Sequence, residues 1–245
     1  MDRGISIAWY DLADNGREQY FDWLHKTYIP RLLKNPGVLW AAHYKTDESI
    51  KPLPELRHTK DASIPTGYRY IFLLGACDAH RFSVLTPYNQ KGKTDAADQK
   101  MLAMRIGERL NVFTEEARVD GPHAKEREGE YTPAPCIQLG SFNSGAYDEE
   151  DELLAWYADF RLPSMAVMPS SIGMRKLASV SGWAKHGVMY EFTSLEARAK
   201  NFRSHEAKDP KKKQWTHDVV AKLVHAPGSP NVAERLWPPL KTSRG

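Results

Sequence analysis

Phe21-Asp-Trp-Leu-His-Lys-Thr-Tyr-Ile-Pro-Arg-Leu-Leu-Lys-Asn-Pro-Gly37 is the stretch that decides the fold, because its framework returns once more in the chain. Trp23, Leu24 and Pro30 recur as Trp156, Tyr157 and Pro163, with the same spacing from Trp to Pro, about half the chain later. Each copy is flanked by the same succession of strand, helix, strand, strand and helix. Self-similarity at this distance bounds an architecture more tightly than a single motif does.

Upstream, Ile5, Ile7 and Trp9 alternate on one face of a half-buried strand, and Asp14-Asn-Gly16 turns the chain. From Arg17 to Lys34 the spacing is helical, with Tyr20, Trp23, Leu24, Thr27, Tyr28 and Arg31 near one stripe. Pro30 is expected to kink or break that helix, since it removes a backbone donor and crowds the preceding turn. Asn35-Pro-Gly37 stops it. The next strand sets Val38, Trp40, Ala42 and Tyr44 on one side and Leu39, Ala41 and His43 on the other. A polar loop with Pro52, Pro54 and Pro65 leads to a strand over 68–75, and the pattern predicts a helix from Ala96 to Phe113.

The segment from Gly121 to Pro135 carries charges and prolines without periodicity, the mark of a linker. The second copy restarts at Cys136: strand 137–143, helix 149–162, strands 172–180 and 186–192, and a last helix over 212–223. It lacks a counterpart of the loop from Thr46 to Pro65. The expectation is an α+β protein of two tandem ferredoxin-like units, residues 1–120 and 136–245, joined by a linker over 121–135. Each antiparallel sheet would cover the open face of the other, closing an intrachain α+β barrel.

Composition narrows the function classes. A net charge of +3, with signs interspersed, gives no nucleic-acid footprint. No apolar run approaches the roughly 20 residues of a membrane span. The two cysteines, Cys77 and Cys136, suit a reducing compartment, and the N-terminus lacks a secretory pattern, so a cytoplasmic location is expected. There is no His-Glu-x-x-His, no Cys-x-x-Cys, no phosphate-binding glycine loop and no Gly-x-Ser-x-Gly elbow, so a dedicated metal, nucleotide or serine-hydrolase site is not expected.

With Trp23, His25, Pro30 and the Pro36-Gly37 pair opening a strand, the first unit resembles the dimeric α+β barrel superfamily, particularly its EthD-like members. Through Tyr190-Glu-Phe-Thr-Ser-Leu-Glu-Ala-Arg198 and Trp215, the second is similar to the NIPSNAP and antibiotic-biosynthesis monooxygenase branches. The sequence departs from the EthD-like pattern where a His stands just before the Pro: here Tyr28 and Arg161 lie two residues before Pro30 and Pro163. The resemblance implies a ligand pocket between sheet and helices, in a group spanning cofactor-free oxygenases, cyclases, decarboxylases and haem proteins.

His186 and Tyr190 share a strand face with Val188 and Phe192, and Arg161 lies on the helix above. A His and a Tyr can exchange a proton with substrate while an Arg holds an oxyanion. In the first unit Tyr28 and His43 are the counterpart candidates for chemistry. Trp23, His25, Trp40, Tyr68, Phe72, Trp156, Phe192 and His225 complete the expected pocket walls. The resulting expectation is a small-molecule enzyme doing cofactor-independent acid–base chemistry of lyase, decarboxylase, cyclase or isomerase type on an apolar aromatic or polyketide-like substrate. A cofactor-free monooxygenase is the alternative reaction. A non-catalytic haem or metabolite carrier is the alternative class, with His43, His186 or His225 as axial ligand. Pairing of two chains into a homodimer stays open.

Overall fold

The computed structural model describes residues 1–51, 54–85, 89, 94–127, 132–206 and 209–240. Pro52 of the predicted loop and residues 128–131 of the predicted linker lie outside them.

The strands are β1 (Gly4–Asp11), β2 (Val38–Thr46), β3 (Arg57–His58), β4 (Tyr70–Ala76), β5 (Ile106–Asp120), β6 (Cys136–Asn143), β7 (Ser171–Ser181), β8 (His186–Phe192), β9 (Val224–His225) and β10 (Asn231–Trp237). Eight of them close a barrel in the order β2-β4-β1-β5-β7-β8-β6-β10, with β10 returning to β2. All eight pairings are antiparallel. Both halves have the same internal strand order, and they join by exchange: the last strand of each half pairs with the second strand of the other. The chain is an α+β protein whose two antiparallel sheets form one intrachain barrel.

Alternation along the strands separates three layers. Ile5, Ile7, Trp9, Trp40, Ala42, Tyr44, Ile71, Leu73, Phe113, Leu139, Leu177 and Met189 fill the barrel interior. The opposite faces pack under the helices, with Ala8, Tyr10, Ala41, Phe72 and Leu74 in the first half and Met174, Val188, Tyr190 and Phe192 in the second. Closure leaves no open sheet edge among these eight strands and suits a barrel of this size, whose lumen side chains can fill. Gly75 serves that filling: a Cβ there would stand 1.9 Å from the Trp40 ring.

Helix α1 spans residues 17–32 and α3 spans 150–167. Each is interrupted by a π-helical turn, Leu24–Tyr28 and Tyr157–Arg161, just ahead of Pro30 and Pro163. The prolines therefore do not break their helices. Widening the turn accommodates the missing donor and the ring, and the chain stays helical through Leu32 and Val167. The helix predicted from Ala96 to Phe113 is corrected: α2 is only Ala96–Leu102, capped by the Asp95 side chain, and from Ile106 onward the chain is β5. Leu110 and Val112 face the helices while Asn111 and Phe113 face the lumen, a period of two that the charged residues around them obscure. The last predicted helix is α5 (Pro210–Lys222), and a helix the pattern did not predict, α4 (Leu195–Glu206), precedes it. No described helix is long and apolar enough to cross a membrane.

Candidate functional site

In the first half, His43 projects from β2 toward α1 and is completely buried. Its Nε2 is 3.0 Å from the Tyr10 hydroxyl on β1, and its Nδ1 is 2.9 Å from Nε2 of His25 in the π-helical turn of α1. His25 is half-buried, with its ring stacked on Phe21 and on Trp237 of β10. Phe21 also packs edge-on against His43 and Tyr70. Three polar side chains from three elements thus form one line from the flank of α1 to the wall of the barrel.

The electrostatics keep both imidazoles neutral. Burial pushes His25 down to about 4, and burial, then His25 and Arg105, push His43 well below the ordinary histidine value. Burial pushes the Tyr10 phenol well up, so it stays protonated. Arg105, entering just before β5, lies 4.6 Å over the Tyr10 ring and donates through Nε to the Tyr20 hydroxyl at 2.7 Å. Two hydrogen patterns satisfy the line. Either Tyr10 donates to His43 and His43 to His25, or His25 donates to His43 and His43 to Tyr10. Passing from one to the other moves a proton through the chain, leaving both rings neutral.

The second half assembles differently. Arg161, on the π-helical turn of α3, donates from Nε to the Tyr190 hydroxyl at 2.9 Å, with its guanidinium 4.5 Å over Phe202. His186 does not join that pair. Four residues along a strand put it about 13 Å from Tyr190, and its ring nitrogens engage Glu150 at 2.8 Å and Lys176 at 3.1 Å. Lys176 is fully buried and is also held by Glu116 at 3.0 Å. Burial outweighs Glu116 and lowers the Lys176 ammonium. Burial, then Lys176, lowers His186. The expected trio of His186, Tyr190 and Arg161 is therefore divided into an Arg161–Tyr190 pair and a separate cluster of His186 with Glu150 and Lys176.

The remaining expected residues fall in several places. Tyr28 stacks on Trp23 at 4.7 Å, and Trp23 donates to Asp98 of α2, so this pair faces α2 rather than His43. Trp40 lies in the lumen, on the opposite side of β2 from His43, and so cannot wall the same pocket. Phe72 is in the first helix-facing core beside His43, while Trp156 and Phe192 are in the second. Tyr68 lies before β4 and donates to Glu48. His225 lies in β9, buried against Phe142 and His58. The sequence reading missed Tyr10, Arg105, Lys176 and Glu150. Tyr10 could have been found, because it alternates with Trp9 and so must face the helices with His43.

Among the described residues no group of three or more His, Cys, Asp or Glu is placed to hold a metal ion. Haem does not fit the three histidines considered for it: His43 and His186 have both ring nitrogens engaged. The unpartnered Nε2 of His225 belongs to a ring packed between two aromatic neighbours.

Comparison of the backbone with solved structures identifies the architecture. An anthrone oxidase-like protein superposes with a TM-score of 0.59 at 10% identity, over 96% of this chain and 91% of that one. The chain has the dimeric α+β barrel fold. A candidate monooxygenase from Fusobacterium nucleatum matches with a TM-score of 0.58 at 9% identity, over 96% and 93% of the two chains. A dye-decolorizing protein from V. cholerae matches with a TM-score of 0.52 at 12% identity, over 96% of this chain and 94% of that one. No protein-family model and no curated protein sequence matches the chain. In this dimeric α+β barrel chain each half packs its own helices against the outer face of its own strands.

Proposed function

We propose that the protein is a small-molecule enzyme that moves a proton on an apolar, aromatic substrate without a cofactor, and that the proton passes through His25, His43 and Tyr10. The observation that carries this reading is the unbroken hydrogen-bonded line from half-buried His25 to fully buried His43 and Tyr10. A neutral imidazole is a base, and a second imidazole behind it spreads the acquired proton inward. Phe21 and Trp237 beside His25 supply aromatic faces for a flat substrate. Arg105 over Tyr10 lowers the phenol less than burial raises it, so Tyr10 keeps its proton and the acquired proton stays on the imidazoles.

The base is ready above about pH 4, where His25 is neutral. The reaction class is proton abstraction next to a carbonyl or from a phenol, followed by elimination, decarboxylation, cyclisation or isomerisation. A cofactor-free oxygenase would use the same base to make a carbanion that reacts with oxygen, the alternative suggested by the names of the anthrone oxidase-like and candidate monooxygenase neighbours. The test is a panel of aromatic ketones, phenols and acids, followed by substrate loss and dissolved oxygen together. Turnover that His43→Phe abolishes supports the reading, and oxygen uptake in step with turnover selects the oxygenase. Turnover that survives His43→Phe contradicts it.

A further inference from the structure

The lumen of the barrel is polar at both ends, and the ends are balanced differently. At one end the Asp2 carboxylate accepts from Arg175 at 2.6 Å, Arg118 at 2.7 Å and the Trp40 indole at 2.7 Å. Glu191 faces Arg127 at 3.0 Å nearby. Each of these cations has a carboxylate.

At the other end Arg109 points into the lumen from β5, only 3% exposed, with its guanidinium 4.1 Å above the Trp9 ring. Nη1 donates to Ser141 Oγ at 3.0 Å and Nη2 to the Pro227 carbonyl at 3.2 Å, while Nε has no partner. Among the described residues no carboxylate pairs with it, and burial alone pushes its guanidinium down to about 9. Trp9 Nε1, Asn111 Oδ1, Asn231 Oδ1 and His225 Nε2, from the same end, are buried and unpartnered as well. A buried charge that keeps only neutral partners is expensive, and it is kept most readily where a ligand completes it.

A cleft of about 510 Å³ adjoins this end, between the loop after β2 and the turn after β9. His58, Ile64, Tyr68, Pro227, Gly228 and Pro230 are among its walls. Pro227 belongs to both places, since it lines the cleft and its carbonyl rests on Arg109. Gly228, at φ +71°, lies so close to Tyr68 that a Cβ would stand 2.5 Å from it, so the turn is pressed onto the cleft wall. The second half has no counterpart of the loop after β2 and builds no equivalent wall.

We propose that this end of the barrel binds a small organic carboxylate, its anionic head on Arg109 and its body in the cleft. The two carboxylate oxygens take the free Nε and, in place of the Pro227 carbonyl, Nη2, the parallel pair of donors that a guanidinium presents. Trp9 Nε1 is a third donor to the head. The site is separate from the His25–His43–Tyr10 line, because Trp9 and Tyr10 point to opposite sides of β1.

Isothermal titration of the full chain with acetate and with benzoate, in chloride-free buffer at pH 7 and fixed ionic strength, tests this. The expected result is saturable binding of one carboxylate per chain, with benzoate tighter than acetate and benzyl alcohol not bound. Arg109→Met should weaken binding at least tenfold, and Arg109→Lys, which keeps the charge but loses the fork, should also weaken it at least tenfold. Should the methionine variant fail to fold, the lysine variant decides. Absence of saturable carboxylate binding, equal binding of benzyl alcohol, or undiminished binding to either folded variant would overturn the site. Saturable binding of inorganic phosphate alone would overturn the carboxylate assignment.

Discussion

The two halves of the barrel place the same elements over the same sheet and fill the space between them with different chemistry. Register makes the comparison residue by residue. His43 of β2 pairs with Phe72 of β4, and the position that pairs with Tyr190 of β8 in the second half is Met174 of β7. Tyr10 pairs with Tyr70, where Gly140 pairs with Val188. Tyr28 and Arg161 stand at the ends of their π-helical turns, each two residues before its proline. The first half thus has a neutral imidazole and a phenol where the second has a thioether and no side chain. The second instead lays a guanidinium over an aromatic core. A shared backbone fixes where a side chain points; the residue placed there decides whether the position can take a proton or only fill space.

The comparison breaks most sharply at His43. His43→Phe keeps the ring shape and removes both nitrogens, and turnover should fall about 10²–10⁴-fold, the usual contribution of a positioned acid or base. Arg161→Leu should do the reverse, with turnover within about twofold of wild type and a loss of roughly 1.5–3 kcal/mol of stability from the lost hydrogen bond between the guanidinium and Tyr190, read by urea unfolding. Turnover lost in Arg161→Leu and kept in His43→Phe would move the site to the second half.

Acid should act on both halves, since His186 is lowered as His25 and His43 are. His25 and His43 have folded-state values below the ordinary 6.5, so the stability tied to their neutral forms is present above pH 6.5 and is lost as pH falls below it, for His25 toward about 4. Burial works to raise Glu150, but the bonds from Ser144, Lys185 and His186 outweigh it and hold it at about 2, below the ordinary 4.5. Its share of stability is therefore present above pH 4.5 and is lost only as pH falls toward about 2. Chemical denaturation at stepped pH should show a first loss between 6.5 and 4 that His43→Phe reduces. A second loss below 4.5 should be reduced by Glu150→Gln.

Within the line the smaller effect is expected at Tyr10. Tyr10→Phe deletes one hydroxyl and leaves His43 Nε2 unpaired, costing about 1–3 kcal/mol, and it should slow turnover less than His43→Phe does. Equal losses in the two variants would make Tyr10 as necessary as the imidazole.

The fold was legible because it is written twice. One Trp–Pro frame suggests a helix, whereas two frames followed by paired strands specify two units that must share a barrel. Strand β5 was hidden because Glu108, Arg109, Glu115 and Glu116 interrupt its alternation and imitate a charged helix face. The site was legible only in part. His43 and His25 can each be named from the sequence, but their meeting depends on the π-helical turn that Pro30 accompanies, a change of helical phase that periodicity does not reveal. His186 and Tyr190 failed as a pair for the opposite reason, since a shared strand face does not shorten four residues of strand.

The most direct test of the account needs no substrate: the imidazole nitrogens of the full chain, followed by ¹⁵N nuclear magnetic resonance from pH 7.5 down to 4, with His25→Gln and His43→Phe used for assignment. The account predicts that His43 stays neutral throughout, that His25 reaches half-protonation only near pH 4, and that the His43 signals shift in His25→Gln. Protonation of either ring near pH 6.5, or His43 signals that ignore the loss of His25, would contradict a buried, connected and neutral pair in the first half.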